Sequence, residues 1–450
     1  MIRQIAIGIG SNQGDRKDSI RKALRLLPFE IQSISSIFES DALLPEGAPL
    51  HWDQPFFNLV VLARTALSPI ECLESLKKLE VKIGRVERER WAPRVIDLDL
   101  LWCEGVQMTT TRLTLPHPGI VDRPFVLLPF AQVAPHLVIG DLSFKNSHNA
   151  KTLRDLARKY AHLDPGEVPF RTRRTSESLI KIVGVLNATP DSFSHTSGDQ
   201  GLAKIRSLLS SGIDVIDIGG ESTRPGAVAV SESEEWARIS PVIETIQDEL
   251  RLQTSEGSLT KVKISIDTRH SKVAERALEL GVDWINDVAG LRDSEMARLA
   301  SHSSAKWVVM HSLSVPPLPD ETIAPSKCPI ETIGNWVMST LKKLEQKGIA
   351  LDRVIFDPGI GFGKTPEQNL EIISRMSELR WLRVEWLLGY SRKSFMAKFS
   401  KVPASDRGLE TSLISSRLAA QGFDGIDYLR VHDVEMNSRA IAYGAYQGPL

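Results

Sequence analysis

The sequence predicts an α/β protein with an N-terminal ferredoxin-like α+β domain followed by a C-terminal (β/α)8 TIM barrel, and three observations carry that prediction. From about residue 180 onward, short apolar runs of strand character alternate eight times with helical stretches. Before that, the elements run β-α-β-β-α-β, the order of a ferredoxin-like sandwich. The chain has 450 residues, more than one hydrophobic core usually serves, and a barrel takes roughly 250 of them.

The first domain, residues 1–160, opens with an apolar strand at 2–9, a Gly/Ser/Asn turn and a helix at about 15–27. An alternating strand is expected at 31–38, and a further strand at 56–64 follows the Pro/Gly-rich loop 43–55. Ser68-Pro69-Ile70-Glu71 then opens a helix. Ser68 and Glu71 have capping-box spacing, and proline at the first helical position costs no intrahelical bond. An Arg-rich segment, 85–94, leads into a strand at 95–102. Hydrophobic periodicity lapses around Pro165, Gly166 and Pro169, so residues 161–178 read as a linker and the basic run 171–174 as a solvated tether.

The second domain, 179–450, places strands at 181–187, 214–220, 263–267, 283–287, 307–311, 353–357, 384–391 and 427–433. Helices are expected at 202–209, 233–250, 272–280, 294–300, 330–346, 366–379, 410–420 and 436–446. Thr365-Pro366-Glu367-Gln368 is a second capping box, and Pro241 would kink the second helix if that helix is continuous. A parallel barrel carries its active site at the C-terminal ends of its strands. The candidates are therefore the polar tips: Asn187, Thr223 and Arg224, Asp267, Asn286, His311, Asp357, Lys393, Arg430 and His432.

Composition narrows the function. With 55 basic and 56 acidic residues the net charge is -1, which offers no global attraction for nucleic acid or an anionic membrane; an anionic ligand needs a local cluster. No apolar stretch approaches the roughly 18 to 20 residues of a membrane span, and the N-terminus lacks signal-peptide features, so a cytoplasmic location is expected. The three cysteines, Cys72, Cys103 and Cys328, form no CxxC pair and read as packing residues. Two glycine-rich stretches are false leads. Pro358 stands where a phosphate loop ending at Lys364-Thr365 needs its first glycine, and Gly8-Ile9-Gly10 lacks the third glycine of a dinucleotide fingerprint.

Asp97-Leu98-Asp99 lies in an apolar run, where residues two apart share a face, so the two carboxylates can share Mg2+ and clamp a polyphosphate. Arg85, Arg88, Arg90 and Arg94 upstream, with His117 and Arg123 downstream, supply donors for phosphate oxygens. Gly10-Ser11-Asn12, Gly84-Arg85, Arg90-Trp91-Ala92-Pro93-Arg94, Asp97-Leu98-Asp99 and Leu115-Pro116-His117-Pro118, in this order, resemble 6-hydroxymethyl-7,8-dihydropterin pyrophosphokinases. The resemblance implies two Mg2+ ions on Asp97 and Asp99. It also implies ATP on Arg85, Trp91, Arg94, His117 and Arg123, and a pterin held by Phe56, Asn58 and Phe125. Catalysis would fall to Asp97, Asp99, Arg85 and Arg94. The segment 54–58 is one residue shorter than the commoner family spacing, and 38–42 lacks the usual proline.

In the second domain, 186–194, 217–226 and 389–394, together with Asp267, Asn286-Asp287, Asp357-Pro358-Gly359 and Arg430-Val431-His432-Asp433, resemble dihydropteroate synthases. A pterin edge offers adjacent donors and acceptors, which Asp267, Asn286 and Asp357 suit, with Lys393 donating to a ring acceptor. Arg430 and His432, with Thr223 and Arg224, are expected to hold the leaving diphosphate. The resemblance implies one Mg2+ at Asn187, a p-aminobenzoate pocket of Phe193, Pro225, Phe362, Lys393 and Ser394, and a homodimer through the barrel domain. One departure is 195–198, where the family more often has an Asp-Gly-rich turn.

The chain is therefore expected to use ATP, 6-hydroxymethyl-7,8-dihydropterin and p-aminobenzoate in two consecutive transferase steps. A pterin-dependent methyltransferase is the rival reading for the barrel, and it gives no reason for a diphosphate clamp. A ligand-binding module is the rival for the first domain, and both Asp97 and Asp99 argue against it.

Overall fold

A computed structural model describes residues 1–86, 89, 91–139, 151–160, 163–164, 167–175, 177–188, 198–221, 229–255, 262–318, 320–420 and 425–446. Two compact units are present: Met1–Leu179 with Ala419–Phe423 and Ala442–Leu450, and Ile180–Leu418 with Asp424–Ile441.

The first unit runs β1 (Arg3–Ser11), α1 (Arg16–Leu26), β2 (Glu30–Ile34), β3 (Phe38–Ser40), β4 (Phe56–Thr65), α2 (Pro69–Ile83) and β5 (Asp97–Cys103). It continues with the hairpin β6 (Met108–Thr109) and β7 (Thr114–Leu115), then α3 (Pro124–Val133), α4 (Leu153–Ala157) and β8 (Arg173–Arg174). The sheet has the order β5-β1-β4-β3-β8, with β2 also on β4, and its pairings are antiparallel. This is the ferredoxin-like order with the second strand divided. The single strand expected at 31–38 breaks because the Ser35 hydroxyl accepts from Val60 N–H and donates to Ser36 O, taking over where the ladder is interrupted.

The segment read as a tether is structured at its end. Arg173 and Arg174 pair with Glu39 and Phe38 as an edge strand, and the basic run meets acidic partners: Arg173 with Glu39 and Arg171 with Asp41, each at 2.6 Å. Pairing satisfies the open edge of β3. The helices α3 and α4 were also absent from the sequence reading.

Strand alternation gives the sheet two apolar faces. Ile5, Ile7 and Ile9 join Leu59, Val61, Leu98 and Leu100 under α1 and α2, where each buried Ile or Leu contributes roughly 1.5–3 kcal/mol. Ala6, Val60, Leu62 and Leu101 face the other way and meet Ile120, Leu127 and Phe130, the last two on α3, and Leu153 of α4. The Ser68 capping box forms as expected, and Gly84 ends α2 at φ 115°.

In the second unit the strands are β9 (Lys181–Asn187), β10 (Val215–Gly219), β11 (Lys263–Asp267), β12 (Trp284–Asp287), β13 (Lys306–Met310), β14 (Val354–Asp357), β15 (Glu385–Leu388) and β16 (Tyr428–Val431). They close into a parallel barrel, with β16 pairing β9. The helices are α5 (Gly198–Ser210), α6 (Glu232–Ser255), α7 (Ser271–Glu279), α8 (Ser294–His302), α9 (Pro329–Gln346), α10 (Pro366–Arg375), α11 (Gly408–Ala420) and α12 (Val434–Tyr446). α6 continues through Pro241. Five strands start one residue later than expected, and at three of these starts Asp214, Asp283 and Asp427 accept from the backbone N–H of Ile182, Ile264 and Trp386 on neighbouring strands. A layer of Val183, Val215, Trp284, Val308, Ile355, Leu387 and Tyr428 forms a buried apolar cluster of the barrel, with Trp284 edge-on to Tyr428 at 4.9 Å. The polar tips sit at the opposite ends of these strands.

Candidate active sites

The first site forms where one face of the sheet stops being core. Along β1 that face reads Ala6, Gly8, Gly10; along β4, Leu62, Val60, Asn58, Phe56; along β5, Leu101, Asp99, Asp97. Gly8 lies opposite Asp99, and Gly10 opposite Asn58 and Asp97. The glycines leave a depression: a Cβ on Gly10 would lie 3.4 Å from Asn58 Oδ1 and 3.5 Å from the Phe56 ring. The resulting cavity of about 380 Å3 suits a small molecule. Phe56, Asn58, Arg85, Trp91, Arg94, Asp97, Asp99, His117, Arg123 and Phe125 all line it, so the first-domain residues expected at the site come together, Arg88 and Arg90 apart.

Its charges are already interlocked. Asp97 takes Arg85 at 2.5 Å on one oxygen and Arg94 at 2.8 Å on the other. Glu80, buried on α2, accepts from Lys77 (2.8 Å) and the Leu98 N–H (2.7 Å) and forms an ion pair with Arg85 (2.6 Å). Lys77 also approaches Asp99 at 3.9 Å. Desolvation and the Asp97 charge raise the Asp99 pKa, against the pull of Lys77, His117 and Arg85. Desolvation lowers that of His117, with the Asp99 charge opposing. His117 Nδ1 accepts from the Gly119 N–H at 3.0 Å, which puts the proton of a neutral ring on Nε2.

Ser11 and Asn12 hold the rim. Asn12 Oδ1 accepts from the Arg94 N–H, its amide donates to Gln54 O, and Ser11 Oγ donates to Val95 O. Phe125 meets Phe170 edge-on at 5.5 Å, so the segment expected to be a linker reaches a residue of this site. Arg88 and Arg90 lie outside the described residues.

In the barrel, Asp267 and Asp357 end β11 and β14, and Asn286 is the penultimate residue of β12. Arg430 on β16 binds Asp217 through Nε and Asp267 through Nη2, both at 2.6 Å. Sequence reasoning put Arg430 with the diphosphate at the rim; here its guanidinium is bonded among the residues expected to read the pterin. Desolvation and neighbouring carboxylates push Asp267 up to about 7, with Arg430 opposing, and its Oδ1 is buried without a partner among the described residues. Desolvation raises Asp357 as well, and it lowers Lys393 to about 8. The Lys393 ammonium donates to Ile360 O and lies 4.8 Å from the centre of the Phe362 ring. His432 Nδ1 and Ser391 Oγ are 3.0 Å apart. Asn187 stands exposed at the tip of β9, and Ser394, also exposed, opens the turn after Lys393. Phe193, Thr223, Arg224 and Pro225 lie outside the described residues.

Residues 6–135 match the 7,8-dihydro-6-hydroxymethylpterin-pyrophosphokinases, and residues 183–432 match the pterin binding enzymes. Over 454 residues the chain is 35% identical to the folate synthesis bifunctional protein of Chlamydia caviae, covering 99% of this chain and 98% of that one. The chain belongs to the bifunctional folate-synthesis proteins. A mitochondrial folate synthesis bifunctional protein of Pisum sativum is 33% identical, with 97% of this chain and 88% of that protein covered. The crystal structure of dihydropteroate synthase from Anaplasma phagocytophilum with bound 6-hydroxymethylpterin-monophosphate is 36% identical, with a TM-score of 0.52, covering 59% of this chain and 98% of that one. As a bifunctional folate-synthesis protein, the chain joins a pterin pyrophosphokinase and a dihydropteroate synthase, two transferases.

Sequence reasoning missed three groups of this folate-synthesis protein. Lys77 and Glu80 stand three apart on α2, and a carboxylate beside Leu76 and Leu79 in that helix's buried stripe was a readable signal. Asp217 was quoted within a motif but given no role; it is 1% exposed and accepts from Ser265, Asn286 and Arg430. Lys364, dismissed with the phosphate-loop lookalike, is buried and donates to Gly359 O and Phe362 O at 2.9 and 2.8 Å. That loop depends on Gly359, whose φ is +68° and whose Cβ would lie 1.9 Å from His311 O.

Proposed function

We propose that the glycine-floored cavity of the first unit transfers a diphosphate from ATP to the hydroxymethyl group of 6-hydroxymethyl-7,8-dihydropterin. Phe56, Asn58 and Phe125 hold the pterin there. Arg85, Arg94, His117 and Arg123 bind the phosphates, and Trp91 lies over ATP. Asp97 and Asp99 fit a pair of Mg2+ ions: hard carboxylate oxygens two residues apart on one face, opposite Gly8 and Gly10, which add no side chain. Bound Mg2+ supplies charge neutralisation for the polyphosphate. Arg85 and Arg94, which neutralise Asp97 here, have the forked donors that suit phosphate oxygens. The observation that carries this reading is the Asp97/Asp99 pair facing Asn58 and Phe56 across two glycines.

The barrel then joins the activated pterin to p-aminobenzoate. Asp267, Asn286 and Asp357 read the pterin edge, and Lys393 donates to a ring acceptor. Thr223, Arg224, Arg430 and His432 receive the diphosphate, with Asn187 as the Mg2+ position. The C–O bond to diphosphate breaks, the amine nitrogen forms the new bond to the pterin methylene carbon, and an amine proton leaves to solvent. Phe193, Pro225, Phe362, Lys393 and Ser394 form the p-aminobenzoate pocket. Support comes from the convergence of Asp267, Asn286, Asp357, Lys393 and Arg430 on one barrel mouth.

No helix among the described residues is long and apolar enough to cross a membrane. The near-neutral charge balance supports small-molecule substrates and no nucleic-acid partner. Exposed Leu409 and Leu413, one turn apart on α11, support a homodimer through the barrel's outer helices.

The test is a coupled assay with hydroxymethyl-dihydropterin, ATP, Mg2+ and p-aminobenzoate. Asp97→Ala should lose AMP formation, whereas Lys393→Ala should still form AMP and make little dihydropteroate. Loss of both activities in folded Lys393→Ala would contradict two independent sites.

A further inference from the structure

Asp217 is a carboxylate at the centre of the barrel mouth to which the proposed reaction gives no task. It is 1% exposed, and its three polar neighbours all donate to it. Ser265 Oγ reaches Oδ1 at 2.6 Å from the register position beside it. Arg430 Nε reaches Oδ2 at 2.6 Å, and Asn286 Nδ2 reaches the same oxygen at 3.2 Å.

We propose that Asp217 is a positioning residue that sets the polarity of the Asn286 amide toward the pterin and holds Arg430 beside Asp267. A side-chain amide is nearly symmetric in shape, so packing alone does not choose between its oxygen and its NH2. A carboxylate surrounded by donors makes that choice: the Asn286 NH2 must turn to Asp217, and the carbonyl oxygen turns the opposite way. Asn286 therefore presents an acceptor, which selects a donor of the heterocycle, its exocyclic amine or a ring N–H. The same carboxylate shares Arg430 with Asp267, so that the guanidinium is stretched between two aspartates. Without Asp217 both constraints vanish together: Asn286 can rotate by half a turn, and Arg430 keeps only Asp267.

This rests on the proposed contact between Asn286 and the pterin, and the experiment separates the two. Competitive inhibition by 6-hydroxymethylpterin of the synthase reaction on supplied diphosphorylated pterin, which reads the barrel and not the pterin pocket of the first domain, is measured for the full-length protein and for Asp217→Asn, Ser265→Ala and Asn286→Ala. Binding of an analogue lacking the exocyclic amine, the KM for p-aminobenzoate and AMP release by the first domain are measured alongside.

Asp217→Asn should weaken pterin binding on the order of 10- to 100-fold, the range for losing a hydrogen bond to a charged group. Its preference for the amino-bearing ligand should collapse, while the KM for p-aminobenzoate and AMP release stay within about twofold, because neither depends on the Asn286 amide. Ser265→Ala, which frees one oxygen of Asp217, should show the same pattern several-fold more weakly, and it decides the matter if Asp217→Asn does not fold. Unchanged pterin affinity and selectivity in the folded variant would overturn the inference, as would an equal loss for pterin and p-aminobenzoate. If Asn286→Ala binds the pterin like wild type, the Asn286 contact itself is wrong and the inference goes with it. If Asn286→Ala loses binding while Asp217→Asn keeps it, only the role of Asp217 is refuted.

Discussion

Lys364 and His311 support each other inside the barrel mouth: the lysine Nζ lies 3.0 Å from His311 Nδ1 while donating to Gly359 O and Phe362 O. Desolvation lowers Lys364 to about 7 and, with the neighbouring lysine charge, His311 to about 3, so the imidazole accepts. Asn369 Oδ1 takes the Gly361 N–H from the other side, leaving the loop that carries Phe362 fixed from two directions.

Lys364→Met keeps an unbranched apolar stem, one atom shorter, and strips donors from two buried carbonyls and a ring nitrogen, so a loss of about 2–4 kcal/mol is expected. The loss should depend on pH. Between the folded value of about 7 and the unfolded 10.5, the unfolded chain holds a proton that the folded chain has released. Wild-type stability therefore rises across that window, by up to about 1.4 kcal/mol per pH unit, and the variant lacks this rise. Denaturant titrations at pH 6.5 and 9, followed through buried Trp284, Trp307 and Trp386, would show a wider gap at pH 9. A gap independent of pH would refute it.

Lys393 should give the synthase an alkaline limit. Desolvation lowers it to about 8, and in the proposed contact only its ammonium form would be a full donor to the pterin ring. Synthase kcat/KM for the diphosphorylated pterin should fall above about pH 8, and Lys393→Arg should carry the fall to higher pH at lower activity. Matching profiles for wild type and Lys393→Arg would remove Lys393 from this role.

Glu80→Gln should disable the pyrophosphokinase from behind its site. Arg85 and Lys77 both depend on that carboxylate, and the neutral amide cannot hold two cations in place. AMP release should drop at least about tenfold while the synthase continues on supplied substrate; unaltered AMP release would show that Arg85 is positioned by Asp97 alone.

Leu413→Glu should convert a dimer into a monomer, read as halved mass by light scattering, with both activities measurable. Leu409 and Leu413 are each 61% exposed and lie one turn apart on α11, an apolar pair that a partner could cover. A wild-type protein already monomeric at assay concentration would end this reading.

Local information carried much of the architecture. Each strand and helix of the barrel announces itself within about a dozen residues, so the eight tips could be listed from periodicity. What escaped depends on partners remote in sequence. The edge strand Arg173–Arg174 exists because Phe38 and Glu39 lie beside it, and Asp217 acquires its role from Arg430, 213 residues away. The first-domain site was legible because Asp97 and Asp99 advertise their shared face by spacing alone. The burial of Glu80 was readable from its place beside Leu76 and Leu79, but its grip on Arg85 was not, since nothing local in the sequence names that partner.

The alternation along β1 has a practical meaning. Ile5, Ile7 and Ile9 bind the strand to one core, while Gly8 and Gly10 on its reverse are room left for a guest. One added methyl at Gly10 would occupy that room without touching the isoleucines. If the pterin sits there as proposed, the chain should keep its folded shape but become a synthase that has to be fed, dependent on an activated pterin made elsewhere.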